Sequence, residues 1–229
     1  MLPLRDSIPS KSIPVVSYCI IALNAMVFFV ETSLSSSGGL DAFMFRYGVV
    51  PAHFMGNPFL NWNTLVTSQF LHGGFAHILG NMWFLYIFGD NIEDVLGHVR
   101  FLAFYIVSGV AAALAQIYFN PASQIPMIGA SGAIAGILGA YFIFHPHSRV
   151  MTLVPLGFYS RIIEIPAFFF LGFWFLMQTF SGTSALYVAK VSGHDAGGVA
   201  WWAHAGGFAF GTTIAVIKRF YNVSHETIR

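Results

Sequence analysis

The chain has 229 residues, of which 56% are hydrophobic, 17% aromatic and only 8% charged. A soluble domain carries roughly a quarter charged residues, so this chain lacks the polar surface to cover a globule in water. Its mean hydropathy of +0.70 points to a bilayer as its solvent. A net charge of +1 leaves no basic field for nucleic acid, and a single cysteine excludes an internal disulfide and a Cys-based zinc site.

A helix needs about 20 apolar residues to cross the hydrocarbon core. Six segments qualify: Ile13–Val30, Thr64–Phe88, Arg100–Phe119, Met127–Phe144, Ile162–Phe180 and Val199–Phe220. Lipid offers no partner to an open strand, so the expected fold is an all-α membrane bundle of six helices in a single domain. A short N-terminal segment (about 1–12) and a short C-terminal tail (about 221–229) flank it. No cleavable leader is expected, because the first apolar run is long and no A-x-A-like site follows it. Cys19, in that run, reads as a small core residue.

The connections differ in character. Residues Glu31 to Asn63 form a long, aromatic-rich first loop, expected to be structured and to lie on the membrane surface. Asp90 to His98 is a short acidic link, with Asp90, Glu93 and Asp94 read as a solvated edge. His145 to Arg161 is a loop with two prolines, and Ser181 to Gly198 reads as a mobile glycine-rich loop. Lys and Arg set orientation. Arg5, Lys11, Arg100, Arg149, Arg161, Lys218, Arg219 and Arg229 share one side, against Arg46 and Lys190 on the other. Both termini are therefore expected in the cytoplasm.

Polar groups inside spans are costly and mark function. The second segment carries His72, His77 and Asn81, and His77 and Asn81 are four apart on one helical face. The fourth opens on Gly129-Ala130-Ser131-Gly132, with Ser131 expected about four residues into its helix. The sixth carries His204. Taken singly, each histidine or asparagine reads as interhelical hydrogen-bond glue, and each G-x-x-x-G as a packing surface. Their spacing joins the two readings. Gly132-x-x-x-Gly136 begins one residue after Ser131, and Gly207-x-x-x-Gly211 begins three after His204. If these smooth faces meet, hydroxyl and imidazole lie at one depth. A hydrogen-bonded imidazole makes a serine nucleophilic, and donors from a helix N-terminus, His77 and Asn81 can hold a developing oxyanion.

At these residues the sequence resembles the rhomboid intramembrane serine proteases. Three motifs occur in order: Gly129-Ala130-Ser131-Gly132, His77-x-x-x-Asn81 with His72 before it, and Ala203-His204-x-x-Gly207-x-x-x-Gly211. The resemblance implies Ser131 as nucleophile and His204 as base, a dyad without a carboxylate. It implies an oxyanion hole of His77, Asn81 and the Ser131 N–H, with His72 retaining catalytic water. It implies single-span membrane proteins as substrates, cut in or near the lipid bilayer, no cofactor, and a gate and cap formed by the fifth helix and the following loop. Two positions depart from the family pattern. Trp62 is followed by Asn63 where many relatives have arginine, and Ala135 stands where some carry an aromatic residue stacked on the histidine.

Rival chemistries lack their residues. No H-E-x-x-H motif exists, no second intramembrane aspartate pairs with Asp90, and Asp195, the one conceivable triad carboxylate, falls in the glycine-rich loop. His145 and His147 flank a proline in a loop and form no expected metal site; His53, His98, His194 and His225 carry no signal. The alternative from another class is a catalytically silent module that binds or chaperones membrane proteins on the same fold. A transporter is a weaker third. Six helices with short tails suggest a bacterial plasma membrane, with an organelle membrane as the alternative; oligomeric state leaves no trace in the sequence.

Overall fold

The computed structural model describes residues 1–157, 159–192 and 198–226, with side chains left aside at 156, 192 and 222–226. Asp195 and His194 lie outside the described residues, as does the side chain of His225. Six long helices follow the six apolar segments: α1 (Val15–Ser37), α6 (Phe75–Leu96), α7 (His98–Phe119), α8 (Ser131–Phe144), α9 (Ala167–Ser192) and α10 (Trp201–Glu226). Among the described residues, three short helices fill the first loop, α2 (Leu40–Tyr47), α3 (Pro51–Gly56) and α4 (Pro58–Asn61), and a fourth, α5 (Thr64–Thr67), opens the second apolar segment. By length and composition, α1 and α7 are each long and apolar enough to cross a membrane, and α8 is a shorter apolar helix.

α8 is the axis. Ten consecutive residues, Gly132 to Tyr141, are buried, the signature of a helix that is apolar all round and surrounded by others. Small residues bring its neighbours close. A Cβ at Gly207 would fall on the Gly132 carbonyl oxygen, one at Gly211 on that of Gly136, and one at Gly139 on that of Phe208. α8 and α10 thus meet backbone to backbone along the two G-x-x-x-G runs. On the α7 side, Gly136 leaves 2.5 Å between a hypothetical Cβ and Ser108. Phe88, Phe101, Tyr105, Ile137 and Leu171 complete the core.

Several sequence expectations are corrected. The chain is not all-α: β1 (Leu2–Asp6), β2 (Arg149–Leu156) and β3 (Tyr159–Pro166) form an antiparallel sheet in the order β1-β2-β3. The expected loop from His145 to Arg161 is mostly this hairpin, whose registers run Arg149↔Pro166 to Leu156↔Tyr159, with Gly157 in the turn at φ +70°. Its strands pair with one another at the end of the bundle, so the argument against open strands in lipid does not reach them. Residues 162–166 are accordingly strand, and α9 starts at Ala167 and runs to Ser192, into the stretch expected to be a mobile loop. α10 runs on to Glu226, through most of the expected tail.

The expected helix over Thr64–Phe88 is broken by a 3₁₀ turn (Ser68–Phe70) and the turn at Gly73 and Gly74; Gly74 has φ +156°. Cys19 is exposed, not core. Glu93 is buried, not solvated. It accepts from the Val16 and Ser17 N–H groups at 2.9 and 2.8 Å and the Ser17 hydroxyl at 2.7 Å, and it meets His98 Nδ1 at 2.6 Å. These bonds satisfy donors at the start of α1, where no intrahelical acceptor exists. Asp94 likewise accepts from Lys11 N at 2.6 Å and from Ser12. The strap from β1 to α1 is tied down further. Trp83 Nε1 donates to Pro3 O at 2.6 Å, and the Tyr141 hydroxyl donates to Asp6.

Candidate active site

Ser131 is the first residue of α8, not four residues in as expected. The preceding loop is pinned from three sides, which is why the helix cannot begin earlier. Val49 and Met127 exchange hydrogen bonds at 3.0 and 2.7 Å, the Gly129 N–H donates to Ser68 O at 2.9 Å, and Gly129 adopts φ +124°. A side chain at Gly129 would also strike the His77 ring, since a Cβ there would lie 2.8 Å from Nε2. The first intrahelical bond is Ile134 N to Ala130 O at 3.0 Å. The N–H groups of Ser131, Gly132 and Ala133 therefore precede the helical ladder and are available to an anion.

His204, near the start of α10, faces Ser131 across the glycine contact. Its Nε2 lies 2.8 Å from Ser131 Oγ. Its Nδ1 lies 2.7 Å from Oε1 of Gln178, a buried amide on α9. Trp174, one turn earlier on the same face of α9, sits 5.9 Å from the His204 ring centroid to centroid, and Trp201 stands edge-on at 6.3 Å. Ala135 on α8 is small and buried, and the imidazole is held from α9 and α10 by Gln178, Trp174 and Trp201.

The pair opens onto a cavity of about 660 Å³ whose lining includes His77, Asn81, Ser131, Trp174 and His204. His77 Nδ1 accepts from the Gly73 N–H at 3.3 Å. A neutral imidazole carries one proton, so an acceptor at Nδ1 leaves the proton on Nε2, beside Gly129. Among the described residues, Asn81 Nδ2 is buried without a hydrogen-bond partner. A buried donor left unpaired costs about 1–3 kcal/mol, and such groups are expected where a ligand supplies the missing acceptor. His72 does not line this cavity. It lies against His77, ring centroids 5.1 Å apart, with both ring nitrogens buried.

Two residues of the site were missed by sequence reasoning. One is Gln178; its signal was an amide inside an apolar segment, four residues after a tryptophan. The other is Glu31 of α1, a buried carboxylate that accepts from the His72 N–H at 3.1 and 3.3 Å. The position after Trp62 departs from the family pattern, and the loop there is tied by amides and a hydroxyl. Asn57 Oδ1 caps α4, Asn61 Nδ2 donates to Asn57 O at 2.8 Å, and the Thr67 hydroxyl donates to Tyr47 O at 2.6 Å.

The chain is similar to known proteins. A family profile described as Rhomboid domain matches residues 60–220. Rhomboid protease GluP of Bacillus subtilis (strain 168) is 32% identical over 152 residues, 66% of this chain and 28% of that protein. The mitochondrial presenilin-associated rhomboid-like protein of Mus musculus is 31% identical over 202 residues, 84% of this chain and 45% of the relative. Putative rhomboid protease YdcA of Bacillus subtilis (strain 168) is 38% identical over 80 residues, 35% of this chain and 40% of the relative. The chain thus spans less than half the length of these relatives. The matched stretch holds His72, His77, Asn81, Ser131 and His204 together with the glycines on which α8 and α10 meet, and the chain belongs to the rhomboid family of membrane proteins.

Proposed function

We propose that this protein is an intramembrane serine endopeptidase acting by a Ser131–His204 dyad on single-span membrane proteins. The observation that carries this reading is the 2.8 Å contact between Ser131 Oγ and His204 Nε2 at the wall of a cavity. In the proposed reaction Ser131 attacks a peptide carbonyl while His204 takes the hydroxyl proton. The oxyanion forms against the Ser131 N–H, His77 Nε2–H and the unpartnered Asn81 amide. His204 then gives its proton to the leaving amine, and water, activated in turn by His204, releases the acyl-enzyme. His72 is assigned to water retention behind His77. No cofactor takes part in any step.

Membrane embedding by all six long helices fits this chemistry. The 14 residues of α8 rise about 21 Å, short of the roughly 30 Å hydrocarbon core. Ser131 would then lie below the membrane boundary, reached by water from one side. Exposed Phe45, Phe59, Leu60 and Trp62 on the first-loop helices suit a position at that boundary. Lys11 and Asp94 meet at the opposite end, Arg219 Nη1 donates to Ile143 O at 3.2 Å, and Arg5 and Arg149 lie on the sheet. This clustering of cations supports both termini facing the cytoplasm of a bacterial plasma membrane. A substrate helix would enter beside α6 and α9 and unwind, because a closed helix hides its peptide bonds.

The test is labelling of the purified protein by a fluorophosphonate, together with cleavage of a panel of single-span substrates in liposomes. Wild type should label at Ser131 and cut; Ser131→Ala should do neither, and His204→Ala should label far more slowly. Equal behaviour of wild type and Ser131→Ala would favour a silent binding module.

A further inference from the structure

Gln178 occupies the place that a carboxylate fills in soluble serine hydrolases. It lies 26 residues before His204 in sequence, on α9, and its Oε1 is 2.7 Å from His204 Nδ1. Across the same ring, Nε2 is 2.8 Å from Ser131 Oγ. A neutral imidazole has one N–H, and the hydrogen bond at one nitrogen decides which of the two carries it. An amide oxygen accepts and does not donate, so it requires Nδ1–H. The lone pair is then on Nε2, where Ser131 must deliver its proton. With the opposite tautomer Nε2 would already carry the proton and would have no lone pair free to take the one from Ser131.

We propose that Gln178 is a positioning residue for the dyad, holding His204 as the Nδ1–H tautomer from α9. This rests on the protease reading above and adds a third member to it. The chemistry of the setting explains an amide rather than an aspartate. Gln178 is buried, and its partner His204 stands between the rings of Trp174 and Trp201, so a carboxylate without a cation there would bear a large desolvation cost. A neutral acceptor orients the ring without that cost. Because Gln178 and Trp174 share one face of α9, the bond also makes the base sensitive to where that helix sits. An outward movement of α9 would release Nδ1 and free the ring.

The experiment compares Gln178→Leu and Gln178→Glu with wild type in one detergent, at matched thermal stability and monodispersity. Two quantities are read: the rate of fluorophosphonate labelling at Ser131, and the ¹⁵N spectrum of the imidazole resonance that disappears in His204→Ala. Loss of general-base alignment is worth roughly 10²–10⁴-fold. Gln178→Leu should therefore label about 10²-fold slower and shift the His204 signal from Nδ1–H toward Nε2–H. Gln178→Glu, assayed at a pH high enough to keep its buried carboxyl ionised and so only an acceptor, should restore most of the rate and the wild-type tautomer. Unchanged labelling in Gln178→Leu, an unchanged tautomer there, or a Glu variant as slow as the Leu variant would each overturn the proposal. A wild-type protein that is not labelled at all would instead defeat the protease reading, and the ¹⁵N measurement would still decide the role of Gln178.

Discussion

Gly207 offers a direct test of the claim that close helix packing creates the dyad. It lies one turn after His204 and packs on Gly132, the neighbour of Ser131, so a Cβ there would fall on the Gly132 carbonyl oxygen, with Ala112 Cβ 3.3 Å away. An ordinary carbon–oxygen contact is about 3.3–3.6 Å, so Gly207→Ala must part α8 and α10 by roughly 1 Å. Neither obstacle is a flexible side-chain end, and the strain of such overpacking is about 1–3 kcal/mol. The same movement lengthens the Ser131–His204 contact of 2.8 Å, and a 1 Å misplacement of reacting groups costs about 10²-fold in rate. The assay is the fluorophosphonate labelling rate of Ser131 alongside thermal unfolding in the same detergent. Gly172→Ala on α9 is the control, because a Cβ there meets only Phe142 at an ordinary 3.7 Å. Labelling by Gly207→Ala within twofold of wild type would refute the argument that this backbone contact sets the site.

Other perturbations separate chemistry from stability. Asn81→Ala removes a buried donor that has no partner, so thermal stability should hold or rise while the cleavage rate falls about 10²–10³-fold; a drop in stability with unchanged rate would mark Asn81 as structural. Glu93→Ala strands the Val16 and Ser17 donors at the start of α1 and should lower stability by about 3 kcal/mol or more, read as the unfolding midpoint; the folded fraction should still label. Asp6 in β1 has its carboxyl pushed above the usual range by burial, against the hydrogen bond from Tyr141. A raised folded value means that the docked strand binds more protons than the undocked one. Its stability is therefore present at low pH and is lost as pH rises from the ordinary carboxylate value through the raised one. The protection of the Leu2–Asp6 amides against hydrogen exchange, taken relative to the intrinsic rate at each pH, should fall across that window in wild type and stay level in Asp6→Asn.

The meeting of Ser131 and His204 was legible because glycine spacing carries geometric content. Two runs of small residues at fixed offsets from a hydroxyl and an imidazole define both a contact and a depth, and α8 and α10 meet as those offsets require. The sheet was not legible in the same way. Residues 149–166 hold Val150, Val154, Ile162, Ile163 and Ile165, a strand composition, yet 149–161 read as part of a loop with two prolines and 162–166 as the start of the fifth span. Glu31 was hidden by its place just past the apolar run, and Glu93 by the nature of its partners. Backbone N–H groups at a helix start leave no mark in a sequence, so an acidic residue that satisfies them looks like any solvated one.

Cys19 shows why burial is hard to read in such a chain. In water, an apolar residue within a periodic stripe faces the core. Beside lipid it does not have to, because acyl chains are as apolar as a protein interior and give no drive to turn hydrophobic side chains inward. On α9, Phe168, Phe169, Phe173, Leu176 and Phe180 are exposed, whereas the buried length of α8 includes Gly132, Ala133, Ala135, Gly136, Gly139 and Ala140. Smallness and polarity, not hydrophobicity, mark the inside. By that criterion the amide of Gln178 in an aromatic helix belongs to the interior, and the partner it meets there is the His204 imidazole, 2.7 Å from its Oε1.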